Sequence, residues 1–145
     1  MYQKLLLLTG IVTLLYQQAF CWGFYAHKEI NHHAVFLLPP AMMIFYKPHI
    51  DFITEHAVDP DKRRYMIAAE GPRHFIDLNR YDDHPFDALP RTWQKAVEKY
   101  GEDTLMAHGI VPWWIHNMQE RLTKAFIEKN YPAILKLSAE IGHYI

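Results

Sequence analysis

Histidine and acidic side chains recur in this chain at positions where they could bind a metal ion. Ten of the 145 residues are histidine, although the formal net charge is only −1. Zinc takes imidazole nitrogen and carboxylate oxygen as ligands, and histidine is the usual acid–base group near neutral pH. Because the histidines do not form a tract, the composition favours metal ligation or acid–base chemistry over a tag-like tail, and the alternative is that most of them are ordinary polar surface residues. The candidate ligands are Trp22, His27, Asp59, Asp61, His74 and His143.

The first of these candidates depends on processing, because residues 1–21 have the three parts of a secretory signal peptide. Lys4 gives a positive start, an apolar run follows, and Ala19 and Cys21 are the small residues before the expected cut. The apolar run is about 12 residues, whereas a bilayer needs about 20. We expect a secreted or periplasmic protein without a transmembrane segment. A lipoprotein acylated at Cys21 and an uncleaved anchor are the alternatives.

Cleavage after Cys21 would make Trp22 the first residue of the mature chain. The α-amine and the carbonyl of Trp22 could then chelate a metal ion through a five-membered ring. His27 could complete such a site if the chain folds back at the start of a helix. Localisation, processing and metal binding are thus linked in residues 22–27.

The elements that must position these ligands are predicted to be helices. Apolar residues recur at helical spacing, proline and glycine mark the ends, and no segment shows sustained β alternation. We therefore predict one all-α domain over residues 22–145, with connections over Val58–Tyr65 and Ala68–Asp87. The predicted helices are His27–Leu38, Ala41–His56 with a kink at Pro48, Thr92–Tyr100, Pro112–Lys129, and a last helix opened by Pro132.

Charge and cysteine content exclude some classes of function. A net charge of −1 creates no strong field that would recruit nucleic acid or an anionic membrane. Cys21 is the only cysteine and lies in the predicted leader, so the domain has no disulfide framework. The sequence also contains no glycine-rich phosphate-binding loop.

Each candidate ligand also has an ordinary interpretation. His74 can be a loop histidine bonded to the backbone, and His143 can be a hydrogen-bonded core residue beside an apolar helix face. Asp59 and Asp61 can belong to a solvated charged loop. Residue type and spacing alone leave these alternatives open.

The ordered set of motifs resembles the zinc-dependent phospholipase C and single-strand-specific nuclease superfamily. The pattern is a tryptophan after the signal, a histidine five residues later, an aspartate, a His-Phe-Ile-Asp segment at 74–77 and Ile-Gly-His-Tyr-Ile at 141–145. The resemblance covers nearly all of residues 22–145. It implies a multi-helix all-α fold with a phosphodiesterase site of up to three zinc ions.

The resemblance also implies roles for individual residues. Trp22 and His27 would bind one zinc ion, while Asp59, His74 and His143 would contribute to a second. Asp59 would also orient or deprotonate the attacking water. Asp61 is the alternative ligand, because Asp59 fits the spacing to His74 found in the family better.

We expect the 145-residue chain to be the N-terminal part of such an enzyme. The apolar stripe of the last helix continues to Ile145 without a cap, which is typical of a chain cut short. In the family, an aspartate four residues after the His143 counterpart bridges two zinc ions, and further histidine and carboxylate ligands hold the third. The sequence lacks those positions, so this form is expected to hold fewer zinc ions and to be weak or inactive.

The sequence leaves the substrate and even catalysis open. The substrate implied by the resemblance is a phosphodiester, in a phospholipid or in single-stranded nucleic acid, and no stable protein partner is predicted. The second interpretation is a secreted helical metal-binding or scaffolding domain that holds one zinc ion. A third is a helical core without a metal.

Overall fold

All regular structure that the computed structural model describes, over residues 23–145, is helical. The all-α prediction is confirmed for this range. Short 3₁₀ helices at Lys47–His49, His56–Val58, Ala68–His74 and Leu78–Arg80 separate the α-helices. The α-helices are α1 (residues 23–36 of the described range), α2 (Pro40–Tyr46), α3 (Ile50–Glu55), α4 (Asp59–Arg64), α5 (Pro85–Ala88), α6 (Trp93–Tyr100), α7 (Glu102–His108), α8 (Val111–Ile127) and α9 (Tyr131–Tyr144).

The two longest of the helices from α2 onwards, α8 and α9, pack against each other and build the main core. Met118 of α8 and Ile134 of α9 are almost completely buried there. Burial of each such side chain stabilises the fold by about 1.5–3 kcal/mol. Helix α8 ends at Ile127, and Lys129 in the turn that follows has a left-handed φ of 55°. The side chain of Asn130 caps α9 by accepting from the Ala133 amide.

The predicted connection over Val58–Tyr65 is wrong, because α4 occupies Asp59–Arg64. Asp59 and Asp61 lie in its first turn and three basic residues lie in its last, which is the order that a helix dipole favours. Pro60 lies in the same first turn, where the missing amide proton costs nothing. The charges that indicated a loop are therefore helix-end charges.

The predicted helix Ala41–His56 is divided into α2 and α3 by the 3₁₀ turn Lys47–His49, which contains the predicted kink residue Pro48. The predicted irregular region Ala68–Asp87 contains two 3₁₀ helices and α5. The short helix α7 was not predicted at all.

A second core cluster lies at the other end of the fold. It consists of Tyr81, Ala96, Leu105, Ile110 and Trp113. Gly109 makes its close packing feasible, since a Cβ atom there would collide with the backbone of Phe75, and the φ of Gly109 is 91°. Helix α8 contributes to both clusters, and it joins this end to the part of the fold that carries the candidate ligands.

Candidate metal site

Three histidines converge on the carboxylate of Asp61. His143 of α9 places its Nε2 3.6 Å from Asp61 Oδ1. His74, at the end of the 3₁₀ helix Ala68–His74, places its Nε2 3.7 Å from the same oxygen. His27 of α1 stacks on His143 with 4.0 Å between the ring centroids. We call these four residues the histidine cluster.

The spacing within the histidine cluster suits a bound zinc ion. Zinc–nitrogen and zinc–oxygen bonds are about 2.0–2.2 Å, so neighbouring ligand atoms of a tetrahedral site are about 3.3–3.6 Å apart. The distances of 3.6 and 3.7 Å from Asp61 to His143 and His74 are close to that value. One ligand atom each from His27, Asp61 and His143 lies within 4.8 Å of the others. His74 lies outside this group of three and approaches it only through Asp61 Oδ1, at 3.7 Å.

Backbone carbonyls fix which ring nitrogens face the carboxylate. Nδ1 of His143 lies 3.0 Å from the carbonyl oxygen of Ala57, and Nδ1 of His74 lies 2.8 Å from that of Glu70. A carbonyl oxygen only accepts, so Nδ1 carries the proton in the neutral form of each ring and Nε2 carries a lone pair. A histidine that binds a metal through one ring nitrogen usually donates the N–H of its other ring nitrogen to a carbonyl or carboxylate oxygen in the same way.

Two buried imidazole nitrogens of the histidine cluster have no hydrogen-bond partner among residues 23–145. They are Nε2 of His74 and Nδ1 of His27. Leaving a buried polar atom unsatisfied costs about 1–3 kcal/mol. The lone pairs on Nε2 of His74 and Nε2 of His143 also face Asp61 Oδ1, which is electrostatically unfavourable. A cation between these atoms would remove the repulsion.

The electrostatic environment keeps His143 in the state that binds metal. Burial lowers the pKa of His143 well below its usual range, and charge on His27 and His74 lowers it further, while Asp61 opposes the shift. The ring is therefore neutral at neutral pH, and a neutral imidazole is the form that ligates a metal. Its side chain is only 3% exposed, against 23% for Asp61.

The fold places Asp61, and not Asp59, in the histidine cluster. Oδ2 of Asp59 lies 2.5 Å from Nδ1 of His56, and Oδ1 lies 2.9 Å from Nζ of Lys62. Burial raises the pKa of Asp59, but these two partners outweigh it and the net pKa is lowered. Side chains two residues apart on a helix point about 160° away from each other, on nearly opposite faces. The helical conformation of α4 therefore separates the two aspartates, and the one beside His74 and His143 is Asp61, not Asp59, which the family spacing favoured.

The remaining predicted ligands are placed as follows. Trp22 and the predicted leader lie outside the described residues. His27 and His143, which the family resemblance assigns to different zinc ions, lie in contact in a single cluster. His74, expected beside His143, does lie there, with 5.1 Å between the ring centroids.

A buried ionic network beneath the histidine cluster was not anticipated. Glu70 is 0% exposed and accepts hydrogen bonds from Arg73 at 2.8 Å, Arg63 at 3.3 Å and the hydroxyl of Tyr144. Arg63 also binds both carboxylate oxygens of Glu140, at 2.7 and 3.1 Å. No spacing rule indicates it, because Glu70 precedes a Gly-Pro pair that is typical of an exposed turn.

The charges of this network are mutually stabilised. Burial raises the pKa of Glu70, but the hydrogen bond from Tyr144 and the charges of Arg63 and Arg73 outweigh it and lower the net pKa. Burial and the neighbouring Glu70 raise the pKa of Tyr144, so its hydroxyl stays protonated and donates. The network therefore remains ionised and hydrogen-bonded at neutral pH.

A cleft of about 470 Å³ lies beside α8 and is separate from the histidine cluster. Arg73 and three tryptophans line it, and the guanidinium of Arg73 lies 3.8 Å from the centroid of the Trp114 ring. None of the four cluster residues is among its lining residues. The histidine cluster, where convergent side chains and unsatisfied nitrogens occur together, is therefore the stronger candidate for a metal site.

Comparison with family models, with curated proteins and with solved structures finds no match to this chain. Within residues 23–145, no helix has both the length and the apolar character needed to cross a bilayer.

Proposed function

We propose that the histidine cluster binds a zinc ion and that the chain forms part of an exported zinc-dependent phosphodiester hydrolase, similar to the phospholipase C and nuclease superfamily. One observation carries the proposal: the buried Nε2 of His74 has no hydrogen-bond partner among the described residues and lies 3.7 Å from Asp61. His27, Asp61, His74 and His143 would hold the ion. Three imidazoles and one carboxylate are a ligand set that zinc accepts.

The four residues would have different tasks in hydrolysis. In hydrolysis, the three histidines alone would hold the zinc ion, which would supply a Lewis acid and lower the pKa of a water in the fourth position. His74 and His143, oriented by backbone carbonyls, hold the buried side of the site. Asp61 is more exposed than His74 and His143, so its carboxylate is the group that would orient a water arriving from solvent.

The burial of His143 supports a second candidate, a metal-binding domain without catalysis. Structural zinc sites are closed, whereas catalytic sites keep one position open for water or substrate. With His143 only 3% exposed, one side of the cluster is closed to solvent. If all four side chains ligate together, no coordination position remains for water.

Zinc content and phosphodiester hydrolysis of the purified chain would test both candidates. We expect one zinc ion per chain in the wild type and in His116→Ala, a control that removes an exposed histidine paired with Glu120. His74→Ala should lose the ion. Hydrolysis of bis(p-nitrophenyl) phosphate that EDTA abolishes would support the hydrolase even if it is weak, and bound zinc with no detectable turnover would favour the second candidate. A wild-type chain without zinc would contradict both.

A further inference from the structure

The buried carboxylate of Glu70 lies at the junction of three segments that each carry a member of the histidine cluster. The 3₁₀ helix Ala68–His74 carries Glu70 itself together with His74. Helix α4 carries Asp61 and also Arg63, which binds Glu70. Helix α9 carries His143 and also Tyr144, whose hydroxyl donates to Glu70.

Each connection from Glu70 to a cluster residue is short. The carbonyl oxygen of Glu70 holds Nδ1 of His74 at 2.8 Å, which fixes the orientation of that ring. Its carboxylate binds Tyr144, the residue that follows His143, and the Tyr144 ring packs edge-on against both histidines at 5.1 and 5.3 Å. Arg63 joins α4 to α9 a second time through Glu140, in a bidentate pair.

The network is also constrained from outside. Arg73 binds Glu70 at 2.8 Å and stacks on the ring of Trp114, so its guanidinium has little freedom. Buried charges are tolerated only when they are paired and hydrogen-bonded, and Glu70 has three such partners. Removing one partner would leave the buried charge of Glu70 less fully compensated. The network is therefore most stable in the one geometry in which all three partners bind Glu70.

We propose that Glu70 is the positioning residue of the metal site and that Tyr144 transmits its position to His143. The inference rests on the proposed zinc site and adds residues that hold its ligands without contacting the ion. Outer-shell hydrogen bonds of this kind commonly change metal affinity about 10–100-fold. The geometry of the bound ion should respond as well, because the rings of His74 and His143 both pack against Tyr144.

Cobalt binding provides the test, because the visible spectrum of Co²⁺ reports on coordination geometry. Tyr144→Phe removes the hydroxyl that binds Glu70 and keeps the ring. Tyr81→Phe is a matched control, since the Tyr81 hydroxyl donates to the Gly109 carbonyl at 2.6 Å in the second core cluster. We expect Tyr144→Phe to weaken Co²⁺ binding about 10–100-fold and to alter the absorption bands. Tyr81→Phe should alter neither, although both variants lower the melting temperature.

Glu70→Gln supplies an independent readout. It should show the spectral change of Tyr144→Phe, and the double variant should change the spectrum by less than the sum of the two single variants, since Glu70 and Tyr144 share one hydrogen bond. Wild-type Co²⁺ spectra in Tyr144→Phe would overturn the positioning role while leaving the metal site standing. A wild-type chain that binds no Co²⁺ would overturn the metal site itself, and this inference with it.

Discussion

The imidazole rings of His27 and His143 stack with their centroids 4.0 Å apart, although one lies on α1 and the other on α9. The two helices approach closely beside these rings. The amide of Asn31 donates to the carbonyl of Ala139 at 2.8 Å, and a Cβ atom on Gly142 would collide with Asn31 Oδ1. The absence of a side chain at Gly142 therefore lets α1 come near enough for His27 to reach the cluster.

We predict that Gly142→Ala separates α1 from α9 and weakens the metal site. The added methyl group would displace the buried Asn31 side chain, whose amide donates to the carbonyls of Ile53 and Ala139, or would move the helices apart. Such overpacking costs about 1–3 kcal/mol of unfolding free energy. Zinc affinity should fall about tenfold or more, the size of effect that misplacing a ligand's support commonly has. Urea unfolding and competitive zinc titration measure the two effects. Gly23→Ala is the control, because a Cβ atom at Gly23 has no neighbour within 4 Å. Equal zinc affinity in both variants would argue against this role of Gly142.

The two aspartates of α4 should respond differently to the same substitution. Asp61→Asn removes the carboxylate that faces His74 and His143, so zinc affinity should fall by more than about 100-fold, beyond what outer-shell changes cost. Asp59→Asn removes only the pairs with His56 and Lys62, which are partly exposed and contribute about 1 kcal/mol or less. A dye-competition titration with zinc separates the outcomes. Loss of zinc from Asp59→Asn alone would restore the ligand assignment made from sequence spacing.

The stability of the metal-free chain should fall as the pH drops below about 6.5, the pKa of an unfolded histidine. Burial and the charge of neighbouring histidines lower the pKa of His143 in the folded chain. Between the two pKa values the unfolded chain binds a proton that the folded chain does not, so the unfolding free energy decreases as pH falls. Above pH about 6.5 the stabilising contribution of His143 is fully present. Below it, this contribution falls by at most about 1.4 kcal/mol per pH unit.

Urea unfolding at about pH 7.5 and about pH 5 tests this window, which lies above the pH range where the stabilising contribution of Glu70 is lost. The pKa of Glu70 is lowered, so its contribution is lost only below the unfolded value of about 4.3. His143→Gln should flatten the dependence between pH about 7 and about 5. An unfolding free energy that is equal at both pH values in the wild type would refute the buried, neutral state of His143.

Lys129 is predicted to be a site of avoidable strain. Its φ of 55° is left-handed, which costs a residue with a Cβ atom roughly 1–2 kcal/mol, partly offset by the greater chain entropy of glycine when unfolded. Lys129→Gly should raise the unfolding free energy by about 0.5–1 kcal/mol. Lys124→Gly, inside α8, should lower it by about 1 kcal/mol. If thermal melts show that Lys129→Gly is destabilised as well as Lys124→Gly, the result would be inconsistent with strain at Lys129.

Sequence patterns predicted the parts of this fold that depend on local rules. Thr92 and Gly101 bound α6, with the Thr92 hydroxyl accepting from the Lys95 amide, and Pro112 lies in the first turn of α8. The charged segment Val58–Tyr65 was misassigned because Asp, Lys and Arg are equally common in loops and at helix ends. Only long-range packing decides between those states.

For the candidate site, ligand types were more predictable than their grouping. His27, His74 and His143 could be named from motif order, but whether Asp59 or Asp61 joins them depends on the helical phase of α4. The contact between His27 and His143 depends on the close approach at Gly142, which no local pattern reports. Glu70 was missed because a single glutamate before Gly-Pro carries no signal of burial.

X-ray absorption spectroscopy at the zinc edge of the zinc-loaded chain tests the central claim most directly. We predict one zinc ion with imidazole nitrogens and a carboxylate oxygen at about 2.0–2.2 Å, and a loss of imidazole scattering in His74→Ala and His143→Ala. A first shell of water oxygens alone, or an unchanged imidazole signal in both variants, would contradict a metal site at His27, Asp61, His74 and His143.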